Sequence, residues 1–236
     1  MRRWFGTVAA CTTLLAWAPQ ARPADVPAVP RHGALTALVV WPTVARAAPA
    51  RDAAALMRLT GATAYSRRPQ AMLVTGVRRQ GNATWVRVQL PIRPNGTAGW
   101  VRRGTVRLQV TRVRIVVRLA QRRLEVWRSG RRVASFAAGI GRAGTPTPVG
   151  RFAVQDALPT LPAWRRVYGG WTIPLTAHSP TLRRFMGGDG LVALHGGGPW
   201  RVGVRSSNGC VVLGEADLAV VARLVRPGTP VDIRRR

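Results

Sequence analysis

Lysine is missing from this 236-residue chain: all 37 basic residues are arginine, set against only 8 acidic ones, for a net charge of +29. Physics alone rarely removes lysine from a surface, so the bias points in part to a GC-rich coding sequence, but the charge favours polyanions whatever its origin. The arginines are not gathered into a tail. Residues 31–106 hold 12 Arg and 1 Asp, a charge of +11, and residues 107–236 hold 22 Arg and 6 acids, +16. Internal repeats and heptads are also missing, which excludes solenoids and coiled coils. After the first 18 residues no stretch is long and apolar enough to span a membrane. There is no His-x-His or His-Glu-x-x-His pair, so a zinc site built from His178, His195 and Cys210 lacks the usual close-spaced ligands. A basic platform interleaved with aromatic residues is lacking too, so the charge implies no specific nucleic-acid partner. DNA binding that vanished at moderate salt would be counterion release only.

Cysteine is scarce. The two are Cys11 and Cys210. Residues 1–24 read as a secretory signal: Arg2 and Arg3 form the charged start, and Trp4 to Ala18 form an uncharged apolar stretch too short for a membrane span. Cleavage after Ala18, Ala21 or Ala24 is open. Val8-Ala9-Ala10-Cys11 loosely matches a lipoprotein processing site, although the apolar run continues through Leu14, Leu15 and Trp17. With the signal removed, Cys210 is the only thiol, and no transmembrane span remains. Oxidising compartments usually pair thiols, so an unpaired one is either deeply buried or used.

What is present reads as mainly β. Residues 25–34 form a Pro- and Ala-rich leader. Residues 35–108 show short apolar runs at Leu35–Trp41, Ala71–Val77 and Trp85–Leu90, separated by turn signals, which suggests a small barrel. In the third run Val86, Val88 and Leu90 fall on one face, and Gly99-Trp100-Val101 opens what reads as the last strand. A second unit covers residues 110–236. Val113, Ile115, Val117 and Leu119 alternate with arginines as in a half-buried strand. Ser129-Gly130 joins Arg123–Trp127 to Arg131–Phe136 as a hairpin. The Gly- and Pro-rich stretch 141–152 predicts a fixed irregular loop returning at Phe152. Residues 156–189 read as a long insertion or lid with short strands, whose Trp164, Tyr168 and Trp171 either stack on a ligand or pack the lid. Leu191–Leu194 reads as a buried strand. Leu218, Val221, Ala222 and Val225 repeat at helical spacing over Glu215–Val225, and Val231–Ile233 is a final strand.

The chemistry concentrates in Ala193-Leu194-His195-Gly196-Gly197-Gly198 and Ser206-Ser207-Asn208-Gly209-Cys210-Val211-Val212. A free thiol is mostly protonated near neutral pH and needs a base. An imidazole can take its proton. The glycines after His195, starting with Gly196, would let backbone and substrate approach closely. Gly209 allows a sharp turn that could aim the N–H groups of Gly209 and Cys210 at a tetrahedral oxyanion. These are the parts of an acyl-transfer site if the two segments meet.

Three ordered features resemble the YkuD-type L,D-transpeptidase family over about residues 112–235. They are the hairpin containing Leu124-Glu125-Val126-Trp127 and Gly130, the loop Thr145-Pro146-Thr147-Pro148-Val149-Gly150-Arg151-Phe152, and His195-Gly196 followed by Ser207-x-Gly209-Cys210. The resemblance implies a mixed β-sheet or sandwich with short helices. It implies Cys210 as nucleophile, His195 as general base, Ser207 orienting the imidazole through its backbone carbonyl, and Gly209 with Cys210 as oxyanion donors. His178 would lie near the cleft, and Asn208 would face substrate. The family usually places arginine or asparagine two residues after the nucleophile, where this chain has Val212; Arg205 or Arg201 is a candidate substitute. Trp85-Val86-Arg87-Val88, Pro94-Asn95-Gly96 and Gly99-Trp100-Val101 resemble the end of bacterial SH3-like domains, either wall-binding modules or spacers.

The activity so implied is transfer on peptidoglycan stem peptides, outside the cytoplasm, with no cofactor. An amine acceptor would make it a transpeptidase and water a carboxypeptidase. The alternative is an inactive cell-wall-binding protein, to which the charge and Val212 lend support. Anionic cell-wall polymers are the expected partners of the arginines.

Overall fold

Alternation of apolar and polar residues shapes the first half of the chain. The computed structural model describes residues 26–236, so the expected signal segment, with Cys11, lies outside the described residues. Strands β1 (Ala34–Val39), β2 (Thr43–Arg46), β3 (Ala55–Leu59), β4 (Ala71–Gln80), β5 (Ala83–Gln89), β6 (Ala98–Arg102) and β7 (Val106–Thr111) form an antiparallel sheet in the order β3-β2-β6-β5-β4-β1-β7. Its core gathers Ala37, Leu59, Val86, Val88, Leu90 and Val101. Complete burial of the valine and leucine side chains among these stabilises by about 1.5–3 kcal/mol each. Val86, Val88 and Leu90 share the buried face, as their spacing predicts. Two expectations are corrected. Gly99-Trp100-Val101 lies in β6, which is not the last strand: a single turn at Arg103–Thr105 leads into β7, whose Val106 and Leu108 are buried while Arg107 is exposed. Val26, in the expected leader, packs against this core.

The second half contains β8 (Val113–Arg118), β9 (Arg123–Arg128), β10 (Arg131–Ala137), β11 (Ile140–Gly141), β12 (Gly150–Ala153), β13 (Leu158–Pro159), α1 (Arg165–Tyr168), β14 (Trp171–His178), β15 (Leu191–His195), β16 (Arg205–Ser207), β17 (Val211–Val212), α2 (Glu215–Leu224) and β18 (Pro230–Arg234). One sheet runs β10-β9-β8-β18-β12 and another β13-β14-β15-β17. Between them lies a core that includes Ile115, Leu124, Phe152, Ile173, Leu194 and Leu218. Ser129 and Gly130, with φ of 50° and 83°, make the tight β9–β10 turn that strand twist favours. The short strands expected within residues 156–189 are present, but β14 is longer and more buried than a lid strand. Residues 173–178 are buried within β14, which pairs with both β13 and β15. Pro174 and the mixed composition masked the length of this strand, whose residues 173–178 are buried on both faces.

Glu125 shows how this acid-poor chain uses a carboxylate. It is 4% exposed on β9 and accepts from the Trp127 indole N–H at 3.0 Å, Arg118 at 3.2 Å and Arg132 at 3.2 Å. Burial alone would raise its carboxyl; the indole and the two guanidinium groups outweigh that and hold it below the ordinary value of 4.5. A depressed folded value gives stability that is present above the ordinary value and lost as pH falls through the folded one. Glu125→Gln is therefore expected to cost about 1.5–3 kcal/mol near neutral pH. Thermal melts would show the gap from wild type closing as the pH drops well below 4.5.

Polar contacts join the two halves. Gln89 on β5 donates to the Arg151 carbonyl at 2.7 Å and accepts from the Thr176 hydroxyl at 3.1 Å. Asn95 exchanges two 2.8 Å bonds with the backbone of His178. Arg93 donates to the carbonyls of Ser179, Leu182 and Asp189, each at 2.9 Å. The Ser66 amide and hydroxyl donate to the buried Asp156 carboxylate at 3.0 and 2.7 Å.

Candidate active site

The parallel pairing of β15 with β17 brings the two motifs together. Leu194 faces Val211 and His195 faces Val212, so Cys210, one residue before β17, lies level with Ala193. Its Sγ accepts the Ala193 N–H at 3.5 Å. Ala193 and His195 are two residues apart on β15 and share a face, which sets the imidazole on the thiol's side of the strand. The imidazole is buried, its Nδ1 lies 2.7 Å from the Gly196 carbonyl, and the Tyr168 ring stands edge-on to it at 5.1 Å. A carbonyl can only accept, so Nδ1 carries the proton of the neutral ring and Nε2 is the basic nitrogen.

Cys210 is half-buried at a cleft of about 330 Å³ whose walls include Tyr65, Leu161, Trp164, Tyr168 and Met186, and none of whose lining residues is charged. Burial pushes the thiol up to about 11, opposed by the Ala193 N–H. Burial also pulls His195 below 6.5, opposed by the Gly196 carbonyl and the Glu215 carboxylate. At rest near neutral pH the pair is thus thiol and neutral imidazole.

Several expected roles shift. The Ser207 carbonyl accepts from the Arg142 amide at 3.0 Å and the Thr145 hydroxyl at 3.2 Å, which occupies both its lone pairs; the carbonyl that orients His195 is that of Gly196. The Ser207 side chain instead ties the nucleophile turn, donating to the Cys210 carbonyl at 2.6 Å and accepting the Gly209 N–H at 3.2 Å. The Gly209 N–H is therefore engaged at rest. Gly209 itself is needed for its φ of 112°, since a Cβ there would meet only ordinary contacts. Gly196 offers no open space: a Cβ would come within 2.3 Å of the Glu215 carboxylate. His178 is fully buried, with Nε2 2.9 Å from Asp189, and is not among the residues lining the cleft. Arg205 is exposed on β16, also away from the lining. Val212 is buried against Gly139. Asn208 Oδ1 is buried with no protein partner. Among the described residues no group of three or more His, Cys, Asp or Glu is placed to hold a metal ion.

Sequence reasoning missed Glu215. It begins α2, accepts the Gly170 N–H at 2.8 Å, and stands behind Gly196. Two further bonds stitch the α1 segment to the glycines after His195: Gly196 N–H to the Tyr168 carbonyl and Gly198 N–H to the Arg166 carbonyl, each 3.0 Å. The only sequence signal was an acid at a helix start, which helix electrostatics alone explains. The Thr-Pro loop serves the site from below. The Thr147 hydroxyl accepts the Gly141 N–H at 2.9 Å, and Gly141 has no room for a Cβ beside Thr145 and Thr147.

A half-buried thiol at the edge of an uncharged cleft and a buried imidazole of fixed tautomer, carried on paired strands, are the parts of a site suited to nucleophilic acyl transfer. The profile of the YkuD family, the L,D-transpeptidase catalytic domain, matches residues 112–233, and the chain belongs to that family. Among solved structures, Bd1075 of Bdellovibrio bacteriovorus is 29% identical, with 53% of this chain and 49% of that one covered and a TM-score of 0.42. The Enterococcus faecium L,D-transpeptidase is 19% identical over 52% and 49%, TM-score 0.39. An L,D-transpeptidase from Mycobacterium tuberculosis is 17% identical over 68% and 97%, TM-score 0.43. The chain thus spans about half the length of the first two. A search of curated proteins gives no match.

Proposed function

We propose that this protein is an exported peptidoglycan L,D-transpeptidase that uses Cys210 to transfer stem peptides. The observation that supports the reading is the pairing of β15 with β17, which brings the thiol level with Ala193, two residues from a histidine whose Nδ1 is held by the Gly196 carbonyl, so that Nε2 is its basic nitrogen. On binding, the thiol proton passes to Nε2 and sulfur attacks the carbonyl of the third stem residue, a diamino acid. The Cys210 N–H is the oxyanion donor left by the engagement of Gly209. The imidazolium then protonates the departing D-alanine amine, leaving a thioester. An amine from a second stem, deprotonated by His195, resolves it and joins two third residues. Asn208 Oδ1, buried and unpartnered, is available to a substrate N–H. No cofactor enters the sequence. Carbapenem-type β-lactams, whose strained carbonyl resembles the donor, should acylate the same sulfur. The first unit is read as an SH3-like module holding the enzyme at the wall, where acidic polymers attract its arginines. No helix among the described residues is long and apolar enough to cross a membrane.

Mass spectrometry of the protein incubated with tetrapeptide muropeptides and a D-amino acid tests the reading. Exchanged tetrapeptides or new dimers are expected. Tripeptides alone would make it a carboxypeptidase. Neither product, with stems of either common diamino acid, would sink the enzyme reading in favour of a wall-binding one.

Glu215 has a predictable part in this chemistry. Its carboxylate favours the imidazolium. Glu215→Gln keeps the shape but removes the charge, so His195 should titrate lower still. The acid limb of the pH–rate profile is expected to move to lower pH, and the maximal rate to fall by roughly 3–10-fold as the imidazolium is less well stabilised.

A further inference from the structure

The Cys210 cleft is not built by the matched catalytic domain alone. That domain begins at residue 112. Tyr65, in the loop between β3 and β4 of the first unit, lines the cleft together with Trp164, Tyr168 and Cys210. The loop that carries it is anchored on the second unit. Ser66, the next residue, gives both its amide and its hydroxyl to one oxygen of Asp156, and the other oxygen accepts the Ala157 N–H at 2.8 Å. Asp156 is 0% exposed, so this is a buried, fully used carboxylate at the start of the segment that bears Leu158, Leu161 and Trp164. Tyr65 itself is 50% exposed and Trp164 42%. Two large rings from different units therefore face the same open space with about half of each still exposed.

We infer that Tyr65 is a substrate-contacting residue, so that the first unit supplies one wall of the donor-stem site. The inference rests on the stem-transfer reading and adds the residue that determines grip on the donor. An uncharged cleft walled by rings suits the methylene chain of a diamino acid, with its ammonium over an aromatic face. Ring area carries this contact, so phenylalanine should replace tyrosine there. The Ser66–Asp156 bonds hold the ring in place.

The test is binding of a tetrapeptide stem, measured by calorimetry on Cys210→Ala protein with and without Tyr65→Ala or Tyr65→Phe. It runs alongside KM and kcat for the single Tyr65 variants and alkylation of Cys210 by iodoacetamide. Tyr65→Ala is expected to weaken binding and raise KM about tenfold. Tyr65→Phe, kcat and the alkylation rate should stay within about twofold. Because Tyr65 is half-exposed, truncation should leave Tm near wild type, and alkylation confirms an intact site. Unchanged stem affinity in Tyr65→Ala overturns the inference while leaving the transpeptidase reading in place. A Tyr65-dependent affinity with no turnover in wild type would do the opposite. Failure of the Cys210→Ala protein to bind any stem would overturn both.

Discussion

Cys210→Ala is expected to lower stem exchange and dimer formation by about 10³-fold or more, to the background without enzyme. The size follows from the division of labour at the site. No other thiol lies among the described residues. The hydroxyl nearest in sequence, that of Ser207, is spent on the Cys210 carbonyl and the Gly209 amide. The cleft wall offers no charged side chain to activate water. The substitution removes a half-buried sulfur and one 3.5 Å contact to Ala193, so stability should change by no more than about 1 kcal/mol. Stem binding should persist. An alanine variant that still exchanged D-amino acids at more than a few per cent of the wild-type rate would refute the sulfur's role. One that lost activity together with its fold, judged by Tm, would be uninformative, and Cys210→Ser then serves as the conservative comparison.

The second large effect is on pH. A thiol raised to about 11 is almost wholly protonated near neutrality. Reaction of the resting enzyme with a small neutral alkylating agent goes through thiolate and should climb about tenfold per pH unit, roughly 100-fold between about pH 7 and about pH 9. Iodoacetamide labelling of Cys210 followed by mass gives the rate directly. A rate already on a plateau at pH 7 would mean a preformed thiolate–imidazolium pair, contrary to the burial of both groups. Turnover should be flatter than alkylation, because the bound stem brings the proton transfer to His195 into the reaction itself.

The core of the fold was legible because its signals are local. Val86, Val88 and Leu90, or Val113, Ile115 and Val117, reveal a buried face by spacing alone. The Ser129-Gly130 turn is demanded by backbone sterics, and the order of the three motifs pointed to the family. What stayed hidden depends on contacts across long sequence separations. Gln89 sits on the polar side of an alternating strand, yet it is buried because the second unit covers it. The segment of β14 was expected to hold only short strands in a lid, because its burial comes from β12 and α2 packing against it across long sequence separations. Cys210 and His195 were readable as residue types, but the imidazole's partner was not: only the folded turn shows that the Ser207 carbonyl is already satisfied and that of Gly196 is not. Glu215 was invisible as a site residue, since its closeness to His195 arises from where α2 begins relative to β15.

Asn95 was read as part of a turn, and a turn it is, but its side chain does more. By exchanging one donor and one acceptor with the backbone of His178, the amide imitates a strand of single-residue length laid against the end of β14. Arg93 beside it closes three more carbonyls of the following loop. The end of β14 and the loop after it are thus finished by side chains borrowed from the neighbouring unit. A cut near residue 110, natural as it looks in the sequence, would strip those carbonyls and amides of their partners. The profile match marks where a recognisable family begins, whereas the hydrogen bonds that complete the edge of its sheet come from residues before it.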